Sequence, residues 1–419
     1  MRGYPKVFGG CAAAAVVGMV LASIGTVAGP QDRLRADDWP QWRGPRQDGV
    51  SLETGLLARW PASGPTELWR SPLGAGYSAV SVAGDRALTM YGTSAGEFVL
   101  ALDAASGKPL WKVRCGDLFL SDSYGNGPRA TPTINEGRVY ALGGRGNLLC
   151  LDAVTGKTVW TLDLLEKFGG KVPEYGFSAS PAVFGKLLVV DVGARGGRSL
   201  AALDKATGEV LWTSLADKPG YATPIRVEVD GVPQIVVLMG EALVSVSPED
   251  GREFWRREWK TTLDANVATP LFHQGRLFLS TGYGTGCALL ELSAPSGKPA
   301  ATQLWAGKQM QNCFSTSVLA GGHLYGFHNL ILTCMDFNTG EIKWKQRGFN
   351  RGSLLAADGK LIIYGERATL ALAAASPAKY QELARAQVLD GKTWTVPTLS
   401  SGRLFVRSEQ EIVCLKLTP

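Results

Sequence analysis

Six side chains suited to ligand binding occupy the same place in a pattern that recurs along the chain. Each stands two residues before a Thr-Pro or Ser-Pro pair, or before the counterpart of that pair in another copy. They are Tyr77, Arg129, Tyr221, Phe314, Arg351 and Trp394, and Ser178 and Val267 complete the eight positions. Aromatic faces stack on flat ligands and attract cations, whereas a guanidinium binds carboxylates and phosphates. The set predicts a site for an anionic or planar ligand, or for an extended peptide.

A structural role for these residues is the alternative. The aromatic side chains would then fill space, and each arginine would pair with a nearby carbonyl or carboxylate, for example that of Glu174 or Glu366. Substituting Arg129 and Arg351 separates the two hypotheses, because a large loss of stability indicates the structural role.

Residues typical of catalysis or metal binding do not form a recognisable motif. The chain has three histidines, His273, His323 and His328, without the His-x-x-x-His spacing of a metal site. Two glycine-rich segments, 143–146 and 193–197, lie between predicted strands rather than before a helix, so we interpret them as hairpins. We predict no catalytic residue and no metal site.

The elements that must position the six residues are strands joined by a repeated turn. A nine-residue phrase begins with Asp, has Gly at its fifth position and ends with Trp, as in Asp103–Trp111, Asp152–Trp160, Asp204–Trp212 and Asp336–Trp344. The Asp carboxylate accepts hydrogen bonds from the following N–H groups, and the Gly supplies the positive φ that closes the turn. Each phrase therefore predicts two strands around a turn, with a Trp that packs between sheets.

Counting the repeated units predicts the architecture. Units with four predicted strands recur eight times at intervals of about 46 residues. Eight tryptophans at this spacing are predicted packing anchors: Trp69, Trp111, Trp160, Trp212, Trp255, Trp305, Trp344 and Trp394. The last unit has three strands, and the segment around Trp69 has no unit before it. We predict an all-β, eight-bladed β-propeller of four-stranded antiparallel blades, in which an N-terminal strand completes the last blade.

The Asp-x-x-Thr/Ser-Gly-Lys/Glu-x-x-Trp phrase resembles that of the pyrroloquinoline-quinone (PQQ) repeat family over residues 66–419. The family includes quinoprotein dehydrogenases and BamB, the propeller of the outer-membrane assembly machinery. The segment Asp38–Pro45 is similar to a leader on secreted bacterial members, especially those of planctomycetes. The dehydrogenases carry an adjacent Cys-Cys pair and a Ca²⁺ held by acidic and amide groups, but this chain has no adjacent cysteines and no Cys-x-x-Cys-His haem motif. PQQ with Ca²⁺ is implied by the resemblance alone, and we expect no cofactor.

The N-terminus has the pattern of an export signal. Arg2 and Lys6 precede an apolar run that ends in small residues near Ala28. We predict a signal peptide over 1–28 that is cleaved near Ala28. The alternative is an uncleaved anchor, since the run of about 21 residues approaches the length of a membrane span. Residues 29–65 form a leader whose Trp39 and Trp42 either strap the N-terminus across a blade or contact a partner.

The net charge and the cysteines indicate which partners and which compartment to expect. The net charge is +6 in 419 residues, and +4 once Arg2 and Lys6 are removed, which does not favour a nucleic-acid binder. An exported protein permits disulfides, and Cys287 with Cys313 is the predicted pair. A second set of cysteines shares one register with small residues of other blades and is predicted to pack: Cys150, Cys334 and Cys414.

The sequence therefore favours a non-catalytic, exported binding scaffold. We expect a monomeric ring in the periplasm or outside the cell that binds envelope or secreted proteins through its loops or by strand addition at outer blade edges. Membrane contact is expected only through the possible N-terminal anchor. The alternatives are a PQQ-dependent or degenerate oxidoreductase, and a propeller that binds carbohydrate or another polymer.

Overall fold

The described part of the chain folds into eight four-stranded antiparallel sheets. The computed structural model describes residues 3, 35, 37–194 and 196–419, so the predicted signal, with its apolar run and cleavage site, lies outside the described residues. No helix within these ranges is long and apolar enough to cross a membrane. The predicted eight-bladed, all-β propeller is confirmed.

The strands are numbered in chain order, and blades 1 to 7 are consecutive groups of four that begin with β2. The first half comprises β1 (Glu67–Pro72), β2 (Ser81–Ala83), β3 (Arg86–Thr93), β4 (Gly96–Asp103), β5 (Pro109–Gly116), β6 (Thr133–Asn135), β7 (Arg138–Leu142), β8 (Asn147–Asp152), β9 (Thr158–Asp163), β10 (Ala182–Phe184), β11 (Leu187–Ala194), β12 (Arg198–Asp204), β13 (Val210–Ser214), β14 (Ile225–Val229), β15 (Val232–Leu238), β16 (Ala242–Val246) and β17 (Glu253–Glu258). The second half comprises β18 (Leu271–His273), β19 (Arg276–Thr281), β20 (Gly286–Ser293), β21 (Ala300–Gly307), β22 (Val318–Ala320), β23 (His323–His328), β24 (Ile331–Asp336), β25 (Ile342–Gln346), β26 (Ser353–Ala357), β27 (Lys360–Tyr364), β28 (Thr369–Ala374), β29 (Glu382–Gln387), β30 (Thr398–Ser400), β31 (Arg403–Arg407) and β32 (Glu411–Lys416). One α-helix, α1 (Leu164–Phe168), follows β9, and a 3₁₀ turn spans Pro295–Gly297.

The ring closes through the N-terminal strand, as predicted. β1 pairs antiparallel with β32, where Trp69 lies opposite Cys414, and so completes blade 8. Closure of this kind leaves no blade without its outermost strand.

The repeated phrase forms the predicted turn. Asp103 Oδ1 accepts hydrogen bonds from the N–H and the hydroxyl of Ser106, at 2.8 and 2.7 Å. The Ser106 hydroxyl contributes most to a lowered pKa of the Asp103 carboxyl. Gly107 has φ +70°, and Gly156 in the next copy has φ +72°.

The tryptophans link neighbouring blades. The Trp111 indole donates its N–H to Ala153 O at 3.1 Å, and Ala153 belongs to the phrase of the next blade. The same bond recurs in other pairs of blades: Trp69 with Ala104, Trp160 with Lys205, Trp212 with Pro248 and Trp344 with Ser376. Five of the predicted anchors therefore join blades by a hydrogen bond, whereas Trp255 donates to Gln234 of its own blade at 3.0 Å.

Trp394 is not an anchor, contrary to the prediction from spacing. In blade 6 the anchor Trp344 lies opposite Cys334, the fourth residue of β24. The equivalent position in blade 7 is Leu372, and the residue opposite it on the outermost strand β29 is Ala384. Trp394 lies after this strand, just before β30. Spacing alone was misleading here because the loop after β29 brings an unrelated Trp to the expected distance along the chain.

The cysteines of the shared register pack as predicted. Cys150 lies directly opposite Trp160 across the strand pair, and Cys334 opposite Trp344. A bulky indole leaves room for a small partner, which explains the preference for Cys, Ala and Ser at this register. In contrast, the predicted disulfide is not formed: Cys287 and Cys313 are free thiols, and the Cys313 thiol donates to Asn329 Oδ1 at 3.5 Å.

Candidate functional site

The central channel opens at one end into an aromatic cavity. Its volume is about 820 Å³, including the open mouth. Seven of the eight equivalent positions identified in the repeats contribute to its wall: Tyr77, Arg129, Ser178, Tyr221, Val267, Phe314 and Trp394. The structure thus brings together residues from seven blades at one place. We call this feature the mouth cavity.

Arg351, at the eighth position, lies against the rim. Its guanidinium carbon is 5.4 Å from the ring centre of Phe314 and 6.0 Å from that of Trp394. Phe314 and Trp394 also contact each other, with ring centres 4.9 Å apart and planes tilted by 47°. Arg351 is exposed, and it forms no ion pair within the described chain.

Three tyrosines of the wall lie outside the repeat pattern and were missed by the sequence analysis. They are Tyr124, Tyr175 and Tyr283, which come from loops between strands. Tyr124 reaches across the mouth, with ring centres 5.1 Å from Tyr175 and 6.0 Å from Phe314. These loops differ in length and sequence between blades, so no equivalent position marks their side chains.

Arg129 has backbone carbonyls as its partners rather than a carboxylate. It donates to Gly127 O at 2.7 Å and Gly125 O at 2.8 Å, and its guanidinium carbon lies 4.6 Å from the ring centre of Phe119. Burial lowers the pKa of its side chain. Arg129 therefore organises the loop 117–127 that carries Tyr124.

Glu97 anchors the same loop from beneath. Its buried carboxylate accepts hydrogen bonds from Phe119 N at 3.1 Å and Gly144 N at 2.8 Å. Burial raises the pKa of this carboxyl.

Two glutamates orient rings of the wall from behind. Tyr77 donates its hydroxyl hydrogen to Glu409 Oε1 at 2.8 Å, and Trp394 Nε1 donates to Glu366 Oε1 at 2.8 Å. Burial and the hydrogen bond to Glu409 together hold the pKa of Tyr77 well above its usual value. Glu366 is therefore a partner of Trp394 and not of an arginine.

The leader forms the floor of the mouth cavity. Trp42 contributes to the cavity wall and donates its indole N–H to Thr269 Oγ1 at 3.0 Å. The next residue, Arg43, is fully buried and donates to Ser317 O at 2.7 Å and Thr316 O at 3.2 Å. Burial lowers the pKa of Arg43 to about 10.

The leader crosses the channel rather than a single blade, which corrects the predicted strap. Trp39 N donates to Val82 O of blade 1 at 2.9 Å, Ser51 N to Ala356 O of blade 7 at 2.8 Å, and Leu57 N to Leu417 O of blade 8 at 2.7 Å. Between these points the leader bonds to four further blades. Pro40 contacts blade 2, Gln47 blade 4, Trp42 blade 5 and Arg43 blade 6. The mouth cavity is consequently a dead end rather than part of an open channel.

The outer circumference of the ring exposes a second repeated feature. On five outermost strands the residue before the anchor Trp is a leucine or valine that is 41–46% exposed: Leu68, Leu110, Val159, Leu211 and Leu304. These strands each pair on one side only. Their free edges combine unpaired backbone groups with exposed apolar side chains.

A match to a family model agrees with the fold and the repeated phrase. Residues 55–143 and 96–346 match the PQQ-repeat model described as outer membrane protein assembly factor BamB. The chain belongs to this family. Within the described residues, no group of three His, Cys, Asp or Glu side chains is arranged to hold a metal ion.

Sequence relatives of this PQQ-repeat chain fall into two classes. The outer membrane protein assembly factor BamB of Shewanella oneidensis is 22% identical over 270 residues, which cover 62% of the chain and 66% of that protein. The dehydrogenase subunit of the quinone alcohol dehydrogenase of Komagataeibacter europaeus is 28% identical over 209 residues, which cover 47% of the chain but 26% of that subunit. The chain thus spans about a quarter of the dehydrogenase subunit and just under two thirds of this BamB.

Solved structures of both classes share the PQQ-repeat fold. BamB from Moraxella catarrhalis has a TM-score of 0.60 at 14% identity, covering 84% of the chain and all of that structure. The quinohemoprotein alcohol dehydrogenase from Comamonas testosteroni has a TM-score of 0.64 at 12% identity, covering 91% of the chain and 82% of that structure. At these identities the likeness concerns the fold.

Proposed function

We propose that this PQQ-repeat propeller is a non-catalytic, exported scaffold that binds an extended segment of another envelope or secreted protein. The observation that supports it best is the set of outermost strands with free edges and exposed apolar side chains at one register. A free edge offers N–H and C=O groups to an incoming strand, and alternate side chains give specificity.

Strand β5 is the binding edge that we favour. It is eight residues long, and its exposed residues include Leu110, Lys112 and Arg114 but no acidic residue. Lys112 Nζ lies over the Phe98 ring of the neighbouring strand β4, 4.9 Å from its centre. An extended partner segment with alternating apolar and acidic side chains complements this edge.

Membership of the family supports an assembly role more than an enzymatic one. The relatives named as assembly factors match over a larger part of their own length than the dehydrogenase subunits do. Export to the envelope is part of the same proposal and draws on the N-terminal sequence pattern.

The residues present do not fit PQQ with Ca²⁺. Calcium requires several carboxylate or carbonyl oxygens, and the described side chains lining the mouth cavity include no carboxylate and no carboxamide. Absorbance and thermal-shift measurements with PQQ and CaCl₂ test this point. A saturable absorbance change together with an increase in melting temperature would support the oxidoreductase alternative.

Site-specific crosslinking tests the scaffold proposal. A photoreactive amino acid at position 110 of β5 is expected to capture a discrete exported protein in intact cells, and Lys112→Glu should lower that yield several-fold. A matched control is position 52 of the leader, where Leu52 is exposed but has no strand edge. Equal capture at positions 110 and 52, or none at 110, would refute the proposal.

Hydrogen exchange then tests the binding mode. Once the partner is identified, strand addition should slow amide exchange along β5 and leave the outermost strand β13 unchanged. Protection confined to the loops at the mouth would show a different docking surface.

A further inference from the structure

The side chains that line the mouth cavity include one guanidinium and several hydroxyl groups. The phenol side chains of Tyr124, Tyr175 and Tyr283 can donate to a ligand, and the described side chains of the wall include no carboxylate. Nearby acidic groups point elsewhere, since Glu366 and Glu409 accept bonds from Trp394 and Tyr77. Such a lining suits a ligand with strong acceptors.

The charge of the site also favours an anionic ligand. Arg129 and Arg351 both lie beside aromatic faces, and neither forms an ion pair within the described chain. The carbonyl partners of Arg129 satisfy N–H groups without cancelling the positive charge. Glu97 and Glu409 lie close enough to Arg129 to offset part of its charge, so Arg351 contributes most to the attraction of an anion.

The geometry of the rings restricts the shape of the ligand. Tyr77 and Trp394 have ring centres 5.3 Å apart with planes tilted by 36°, and Tyr175 and Tyr221 are 5.4 Å apart and tilted by 58°. These neighbouring rings already touch and form a cup rather than two parallel plates. No flat ligand fits between the members of either pair, whereas the C–H faces of a sugar ring can rest on several tilted rings at once.

The closed floor restricts how a longer ligand enters. Because Trp42 of the leader lies at the bottom, a polymer cannot thread through the channel and must present an end at the mouth.

We propose that the mouth cavity binds the end of an acidic carbohydrate, in which a sugar ring carrying a carboxylate rests against Trp394, Phe314 and Tyr124. Arg351 binds the carboxylate. This site is separate from the outer strand edge and does not depend on the scaffold proposal.

Calorimetric titration of the mature protein with tri-galacturonic acid tests the inference. We expect saturable binding that weakens several-fold between about 0.05 and about 0.5 M NaCl, because salt screens the attraction between the arginine and the carboxylate. Cellotriose, a neutral trisaccharide, should bind at least about tenfold more weakly, since it lacks the charge-assisted hydrogen bonds to arginine.

Two arginine variants distinguish binding at the mouth cavity from non-specific attraction by surface charge. Arg351→Gln should lower the affinity for tri-galacturonic acid about tenfold without changing the melting temperature. Arg347→Gln removes the same charge from an exposed position four residues earlier, outside the cavity wall, and should leave the affinity unchanged. Saturation-transfer NMR should show the sugar C–H groups in contact with aromatic protons, and Phe314→Ala should weaken that signal.

Several results would overturn the inference. These are no binding of tri-galacturonic acid at millimolar concentration, equal affinity for cellotriose, or equal effects of the two arginine variants. Preferential binding of PQQ, or of a peptide with alternating Phe and Glu, would assign the cavity to a planar acid or to a protein segment instead. Crosslinking at position 110 tests a different surface, so a lack of sugar binding would not contradict the scaffold proposal.

Discussion

The indole of Trp111 in blade 1 lies directly over Gly156 in the turn of blade 2. A Cβ placed on Gly156 would come within 2.7 Å of Trp111 Cδ2. The same arrangement joins Trp69 to Gly107 and Trp212 to Gly251. Gly and Trp of the repeated phrase are therefore partners across the gap between blades, which gives the Gly a second role besides closing its own turn.

Gly156→Ala should destabilise the ring through this contact. The positive φ alone costs about 1–2 kcal/mol for a residue with a Cβ, and the collision with the indole adds to it. Gly185→Ala is the matched control, because Gly185 also has a positive φ but has no atom within 4 Å of its Cβ position. Urea denaturation of both variants measures the difference. Equal losses would show that the indole moves aside without cost.

The indole hydrogen bond should be measurable by comparing two anchors. Trp212 Nε1 donates to Pro248 O at 3.0 Å, whereas the buried Trp305 Nε1 has no hydrogen-bond partner among the described residues. Trp212→Phe should therefore cost about 1 kcal/mol more than Trp305→Phe, the usual net contribution of one hydrogen bond. Chemical denaturation measures both variants, and a larger loss for Trp305→Phe would contradict the assignment.

Arg43 should be essential for holding the leader in the channel. Arg43→Met leaves the carbonyls of Thr316 and Ser317 without their donor, and we expect a loss of about 3 kcal/mol. The neighbouring exposed Arg46 provides the control, since Arg46→Met should change stability little. Thermal unfolding and the rate of proteolysis within the leader measure the effect. Equal proteolysis of the two variants would refute a plug held by Arg43.

Asp191 should give stability an unusual dependence on pH. Its buried carboxylate accepts hydrogen bonds from Gly220 N at 2.7 Å and Gly193 N at 3.1 Å, and burial raises its pKa to about 7. Between about pH 4 and pH 7 the folded state keeps a proton that the unfolded state has lost, so this group's contribution to stability falls as pH rises, by up to about 1.4 kcal/mol per unit.

Asp191→Asn should remove that slope. The stability of the wild type minus that of the variant is expected to decrease from pH 4 to pH 7, as followed by denaturation at each pH. Asp103→Asn provides a contrast of opposite sign. The lowered pKa of Asp103 means that its contribution is present near neutral pH and is lost on acidification through its folded pKa. An unchanged difference for Asp191→Asn across the window would contradict the raised pKa.

The two arginines of the mouth should differ in their structural importance. Arg129→Gln removes donors from Gly125 O and Gly127 O and should loosen the loop 117–127, lowering the urea midpoint and speeding proteolysis there. Arg351→Gln should leave both unchanged, because Arg351 is exposed and makes contact mainly with ring faces. Similar losses for both variants would assign Arg351 a structural role.

The sequence was sufficient for the repeated parts of the molecule. The Asp-to-Gly turn, the strand after it and the inter-blade Trp depend on local backbone conformation and on one register, so each copy confirms the others. The set of equivalent mouth positions followed from the same register, and seven of these residues line the cavity. Trp394 shows the limit of spacing alone, since a Trp at the expected interval lies in the mouth and not between blades.

The sequence by itself determined the number of blades, the closure by β1 and the residues at the start of each innermost strand, because a period that repeats eight times specifies its own geometry. Only the tertiary structure decided that the leader plugs the channel, that Tyr124 spans the mouth, and that Arg129 binds carbonyls while Arg351 does not. The physical reason is that these contacts join segments that occur once in the chain. Whether two such segments meet depends on the packing of the whole ring.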